Sequence, residues 1–192
     1  MTTRSRHSLR QLSLRSRHQL TPSTRKKFSS TICEHIQALP IYQQAKTIAL
    51  YCATADEVDL TELQQNALAS QKQCYWPKVQ SNQTLLFLPV TPLTRLEKNK
   101  YNIQEPCVSS QLALEIKAFD LMLIPLVSFD DQGTRLGHGQ GYYDRTLEIN
   151  EPKMLIGVAF EVQHHPFIPR KSWDIPLSAV ITEEKIYRFN LE

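Results

Sequence analysis

Glycine is scarce in this chain, with five in 192 residues, yet four of them, Gly133, Gly137, Gly139 and Gly141, fall within nine positions. Cysteine is equally sparse. Cys33, Cys52, Cys74 and Cys107 form no C-x-x-C pair, so the usual zinc and dithiol spacings are excluded and reduced, structural thiols are expected. No apolar run approaches the ~18 residues needed to cross a bilayer, and the start has no apolar secretory leader. A cytoplasmic protein with no membrane partner is the expectation. Acidic residues are missing from the first 27 positions, which hold eight Lys or Arg, whereas the remainder carries fourteen basic and nineteen acidic side chains. A basic arm is attached to an acidic body, and the net charge of +3 conceals both.

The composition that remains is that of an ordinary globular chain, 41% hydrophobic and 21% charged, long enough for one proper core. With no repeat or linker, residues 1–192 are expected to form a single domain. Residues 4–20 read as a basic helix. A second helix begins at TPST, with Thr21 as cap and Pro22 in first position, and carries the stripe Phe28, Ile32, His35, Ile36, Leu39 until Pro40. Strands are expected at TIALYCA (47–53), QCYWPKV, TLLFLPV, FDLMLIPLVSF (119–129) and MLIGVAF, with helices at LTELQQNALAS and YYDRTLEI and a terminal strand or hairpin in AVITEEKIYRF. The segment between Pro89 and Asn102 reads as irregular. Alternation of this kind predicts an α/β fold, a three-layer domain whose mostly parallel sheet has helices on both faces and an N-terminal helical arm. Ligands in such folds bind beyond the carboxyl ends of strands, where both ADEVD and the glycine-rich stretch fall.

GTRLGHGQGYYDR (133–145) has chemistry of its own. Glycines at alternate positions let the backbone turn several N–H groups inward as a cradle for phosphate oxygens. A helix starting at once would add its positive end. Arg135 and Arg145 supply full charges, and Asp144 suits a magnesium ion held on a polyphosphate. The spacing matches neither the P-loop nor the dinucleotide fingerprint, so on spacing alone a tight surface turn with Tyr142 and Tyr143 packed beneath it stands equally open.

The wider string, RLGHGQGYYDR after a strand ending IPLVSFD, resembles the signature of the 5-formyltetrahydrofolate cyclo-ligase family. The likeness extends to SLR near the start, YCATADEVD, PKV, NIQEP, IGVAFEVQ and WDIPLSAVITEE. The resemblance implies closure of 5-formyltetrahydrofolate to 5,10-methenyltetrahydrofolate with ATP as co-substrate and Mg2+ as cofactor. The formyl oxygen would be phosphorylated to an N5-iminium phosphate, and N10 would displace it as phosphate. It implies ATP contacts at Arg135, Leu136, Gly137, His138, Gly139, Gln140, Gly141, Tyr142 and Tyr143. Folate would approach His138 to Tyr142, with Glu57, Cys52 and Tyr101 forming the rest of its site. Asp144 and Asp174 match magnesium ligands, and Arg135, Tyr142 and Asp144 would serve the chemistry.

The same resemblance gives the basic arm a task, because the family places a Lys and an Arg four residues apart on its first helix against ATP. Arg10 matches the Arg, and Arg6 stands where Lys is usual. The other six basic residues of the arm are expected to be solvated or to draw in anionic substrates. An arginine- and serine-rich start also fits a transit peptide, but the SLR match begins within ten residues of Met1. His164 and His165 are taken as loop residues, and His138 is assigned no proton transfer. The expected partners are small molecules, with no specific nucleic acid and a monomeric chain. A binder using the arm on RNA is the competing reading, marked by steep salt dependence.

Overall fold

The computed structural model describes residues 5–148 and 150–189. Helix α1 (Arg6–Gln19) starts where the Ser5 hydroxyl accepts the Ser8 N–H, and α2 (Pro22–Gln37) where Thr21 accepts the Thr24 N–H. Both caps satisfy donors that the first turn leaves unpaired. Pro40 does more than stop α2, since it sits in the first turn of a further short helix, α3 (Pro40–Gln44), where its missing N–H costs nothing. Then follow β1 (Thr47–Ala49), α4 (Thr61–Ala69), β2 (Gln73–Val79) and β3 (Leu85–Val90). The stretch expected to be irregular contains a small hairpin of β4 (Leu96–Lys98) and β5 (Gln104–Pro106). Its first strand is fully exposed, so no apolar alternation announced it.

The apolar run 119–129 splits in two. Strand β6 (Leu121–Pro125) belongs to the main sheet and β7 (Ser128–Asp130) to a small one with β8 (Arg135–Leu136) and β10 (His164–His165). Pro125 cannot donate to a ladder, and beyond it the carbonyls of Leu126 and Val127 are taken by the Gln163 amide at 2.7 and 3.0 Å. The glycine-rich loop therefore follows the β7–β8 hairpin rather than the buried strand directly. It leads into α5 (Tyr142–Leu147), and β9 (Leu155–Val158), β11 (Ala179–Ile181) and β12 (Ile186–Arg188) complete the chain.

The main sheet has seven strands in the order β12-β11-β9-β6-β1-β2-β3. Its five inner strands are parallel and its two edge strands antiparallel. Alternate residues of β6 separate the core into layers. Leu121 and Leu123 join the cluster formed with Ile32 and Ile36 of α2 and Leu63 of α4, whereas Met122 and Ile124 join Phe119, Phe129 and Leu147 of α5. The expected α/β architecture is present, with the longer helices on one face and the six-residue α5 on the other. Helix α1 is seated on the small sheet through Leu9, which packs with Leu136 and Ile168, and through Ser13, whose hydroxyl meets Ser128 at 2.7 Å and His165 at 2.8 Å.

Candidate active site

Strand order reverses between β1 and β6, because the chain leaves β1 to build β2 on one flank and returns to place β6 on the other. A cavity of about 690 Å3 opens above that point, floored by Tyr51 and Cys52 beyond β1 and by Pro125 and Leu126 at the end of β6. Crevices at such reversals are where open α/β sheets bind ligands. Arg6 and Arg10 from α1, the loop 137–141 and Tyr142 to Asp144 form one part of its wall. Glu57 and Tyr101 also line it, so chain segments more than a hundred residues apart converge on one space.

The loop wall is dominated by paired charges. Arg135 is buried and its guanidinium holds Asp144 Oδ1 at 2.6 Å and the Ile175 carbonyl. Desolvation lowers the Arg135 pKa, and the negative charges of Asp144 and Asp174 oppose that fall. Arg6 grips Asp174 with both terminal nitrogens and also donates to the Pro169 carbonyl at 2.9 Å. Asp174 is buried and further accepts the Lys171 N–H at 2.8 Å. Arg10 donates its Nε–H to the Gly137 carbonyl at 2.7 Å, and its pKa is lowered by desolvation and then by the like charge of Arg6. Two guanidiniums one turn apart on α1 thus line the cavity, a poor arrangement for each other and a good one for a polyanion.

Gly139 and Gly141 have φ of +98° and +70°, the left-handed region that turns successive N–H groups toward one side. The N–H groups of His138, Gly139, Gln140 and Gly141 find no acceptor among the described residues. Helix α5 begins at Gly141 but runs only six residues, so the helix end that the sequence promised is short, and the loop and arginines carry most of the positive field. Leu136 departs from the rest of the expected nucleotide set. Its side chain is buried between Leu9 and Ile168 and does not reach the cavity, which leaves it the work of docking α1 beside the loop.

The two tyrosines divide. Tyr143 packs against the second core layer, where burial pushes its hydroxyl pKa up, while Tyr142 reaches across to Tyr101 with the hydroxyls 2.9 Å apart and the rings edge to face. Both alternatives for the loop therefore hold in part, Tyr143 lying beneath it and Tyr142 bordering open space. Beside the loop Glu57 has a 9% exposed side chain, accepts the Thr54 N–H at 2.9 Å, and has His138 Nε2 at 3.7 Å. Burial opposes ionisation of Glu57, but His138, the Thr54 N–H and the charge of Arg17 outweigh it and hold the carboxyl below its ordinary value. Cys52 is half-buried with its pKa raised by desolvation, which keeps it a thiol rather than a nucleophile.

Several wall residues had no signal in the sequence reading. Trp173 and Lys171 stand beside Asp174, with the Lys171 ammonium 4.8 Å from the indole centre, and Trp173 is 61% exposed. An exposed tryptophan in WDIPL was the available clue. Glu105 is buried because the Val79 N–H and the Asn99 amide converge on it at 2.9 and 2.7 Å. The arm itself requires a correction. Of its six basic residues expected in solvent, Arg17 is buried and Arg25 is paired with Asp56 at 3.2 Å, while Arg4 lies outside the described residues. His164 and His165 form strand β10, His164 bonding Asp131 at 2.8 Å. No helix among the described residues is long and apolar enough to cross a membrane.

Known proteins share this arrangement of chain. A 5-formyltetrahydrofolate cyclo-ligase of Haemophilus influenzae is 33% identical over 185 residues, covering 94% of this chain and 99% of the relative. The solved structure of Aquifex aeolicus 5,10-methenyltetrahydrofolate synthetase superposes with a TM-score of 0.85 at 32% identity, covering 97% of this chain and 93% of that one. The Mycoplasma pneumoniae 5,10-methenyltetrahydrofolate synthetase gives 0.73 at 28% identity, over 92% and 98%. Residues 2–183 match the family as a whole, and the chain is an enzyme that belongs to the 5-formyltetrahydrofolate cyclo-ligase family.

Proposed function

We propose that the protein closes 5-formyltetrahydrofolate to 5,10-methenyltetrahydrofolate with ATP as phosphoryl donor, releasing ADP and phosphate. The observation that carries this reading is the meeting, in one cavity, of an arginine-rich loop wall and the enclosed carboxylate of Glu57. The formyl oxygen of the substrate is a poor leaving group. Transfer of the γ-phosphoryl group to that oxygen gives an iminium phosphate, and attack by N10 on the activated carbon expels phosphate and closes the ring. Such transfers need positioning and charge neutralisation above all. Arg6, Arg10, Arg135 and the N–H groups of 138–141 supply the neutralisation. Glu57 offers a carboxylate to paired N–H donors such as those on the amino-oxo edge of a pterin, and Tyr101 with Tyr142 presents aromatic surface to its flat rings. Cys52 borders the same end.

Mg2+ would neutralise and orient the polyphosphate. Asp144 fits as one carboxylate of its set, since only Oδ1 is engaged by Arg135 and Oδ2 accepts nothing from the described residues. Asp174 has both oxygens taken by Arg6 and the Lys171 N–H, so it suits the metal only when Arg6 turns from it to phosphate. The protein is taken to work as a cytoplasmic monomer on small molecules. The deciding assay follows methenyltetrahydrofolate absorbance with purified protein and 5-formyltetrahydrofolate. Product should form only when both ATP and Mg2+ are added, and its absence under those conditions would remove this reading.

A further inference from the structure

We propose that Arg17 is a positioning residue that keeps the Glu57 carboxylate ionised in the wall of the cavity beside the glycine-rich loop. Arg17 lies on the same side of α1 as Arg6, Arg10 and Ser13, at spacings of four, three and four, but two turns beyond the loop. It is only 4% exposed, and its Nε and Nη1 are buried without a hydrogen-bond partner among the described residues. A guanidinium carries a full charge and five N–H donors, and leaving the three on Nε and Nη1 unpaired in the interior is costly. An apolar side chain of similar volume would fill the space without that cost, which makes packing alone a poor reason for arginine.

The turn of α1 that carries Arg17 lies against the residue before Glu57. The next residue of α1, His18, contacts Asp56 Oδ2 at 3.2 Å, and Arg25 of α2 holds Asp56 Oδ1 at 3.2 Å, so the last turn of α1 is docked on Asp56. Glu57 is itself buried and has no side-chain hydrogen bond from a cation: Oε2 takes the Thr54 N–H, and His138 at 3.7 Å is beyond hydrogen-bond length and mostly exposed. The remaining groups that face it, Tyr51, Cys52 and Tyr143, are hydroxyls and a thiol whose pKa values are raised, by burial first and for Tyr51 and Tyr143 then by the Glu57 charge. They supply no positive charge. Beside His138 and the Thr54 N–H, Arg17 adds a permanent positive charge that acts on this carboxylate through the low-dielectric interior rather than through a direct bond. The fold accepts unpaired N–H groups on Arg17 and in return keeps an acceptor charged where burial alone would neutralise it.

That this charge governs folate binding rests on the function proposed above, so the experiment separates the two. In ligand-free protein, the Glu57 carboxyl is titrated by carbon NMR in wild type, Arg17→Met and Arg17→Lys. Arg17→Met keeps the volume and removes the charge, and its Glu57 should titrate about one pH unit higher, with Arg17→Lys restoring most of the difference. The same titration in Arg17→Gln covers the case in which the methionine variant does not fold. In parallel, 5-formyltetrahydrofolate binding is followed from pH 4.5 to 8. The acid limb should move up by about one unit in Arg17→Met, a loss of affinity of up to about threefold near pH 5 with little change at pH 8, and ATP affinity should be unaffected. An unmoved Glu57 titration in a folded variant overturns the proposal, as does equal weakening of both ligands across the pH range, which is what a merely structural arginine would produce. Failure of the wild type to bind 5-formyltetrahydrofolate would count against the proposed function and leave the titration as the test of Arg17.

Discussion

Gly133 and Gly137 are both glycine, four positions apart, for different reasons. At φ +76°, Gly133 turns the β7–β8 hairpin, and a Cβ there would lie 2.9 Å from the Phe189 ring and 3.1 Å from the Leu177 carbonyl. Gly137 has nothing within 4 Å of the same position and no positive φ. Gly133→Ala should therefore cost about 2 kcal/mol, read as a lower denaturant midpoint, from backbone strain and overpacking. Gly137→Ala should leave stability within about 0.5 kcal/mol and weaken ATP roughly tenfold, because the loop's need for an open backbone comes from the ligand. Unchanged ATP affinity in Gly137→Ala would detach this glycine from the nucleotide. The two variants of the Arg135–Asp144 pair also differ. Asp144→Asn leaves Arg135 its Ile175 carbonyl, so it should lower kcat by roughly a hundredfold with the melting temperature nearly unmoved. Arg135→Ala strips a buried site and should lose stability as well, so only the asparagine variant reads chemistry cleanly. At this scale the sequence exposed the loop, Glu57, Tyr101 and both aspartates, because each lies in a distinctive string. It hid Arg17, because one arginine among eight basic residues of an acid-free arm looks like the rest.

Elements were legible where burial and period agreed. Strands β1, β6 and β9 are short apolar runs because both their faces are covered, and the stripe of α2 is buried at Ile32 and Ile36 as its spacing required. The hairpin of β4 and β5 was not legible, nor was the step from one sheet to another at Leu126, since apolarity continues unbroken while hydrogen bonding changes partner. Pairing between elements also depends on single polar clamps. Asp120, at the start of β6, accepts the Lys46 and Thr47 N–H groups at 2.8 and 3.1 Å and the Lys153 ammonium at 2.6 Å, joining β1 to β6 beneath the cavity. Although burial opposes its ionisation, Lys153 and the two N–H groups hold its pKa far below the usual carboxylate range. A carboxyl depressed in the folded state contributes stability that is present above its unfolded pKa, about 4, and is lost as pH falls toward the native value. Asp120→Asn should thus cost about 1–3 kcal/mol at pH 7 and progressively less below pH 4. Thermal melts from pH 3 to 7 would show the two proteins converging on the acid side, and a constant gap would refute the clamp.

On the scale of the whole molecule, the wall proposed to hold the nucleotide is assembled from pieces that share little contact of their own. Helix α1 brings Arg6 and Arg10, the loop brings 137–141 and Asp144, and the segment before β11 brings Lys171 and Asp174. Among the described residues few bonds cross between them: Arg6 to Asp174 and Pro169, Arg10 to Gly137, and Arg135 to Ile175. A bound polyanion that takes Arg6 and Arg10 together would bridge all three pieces, and its binding energy would add to the stability of the complete wall. At a concentration about a hundredfold above its Kd, Mg·ATP should stabilise the protein by about 2.7 kcal/mol, which for a chain of this length raises the melting temperature by roughly 5–10 °C. Hydrogen exchange locates the effect. Slower exchange should appear together in residues 6–17, 137–145 and 169–175, with Arg10→Ala reducing it in all three. Protection confined to the loop would mean that the nucleotide is held by 137–145 alone, and that α1 and the Asp174 segment are scaffolding rather than part of the ATP site.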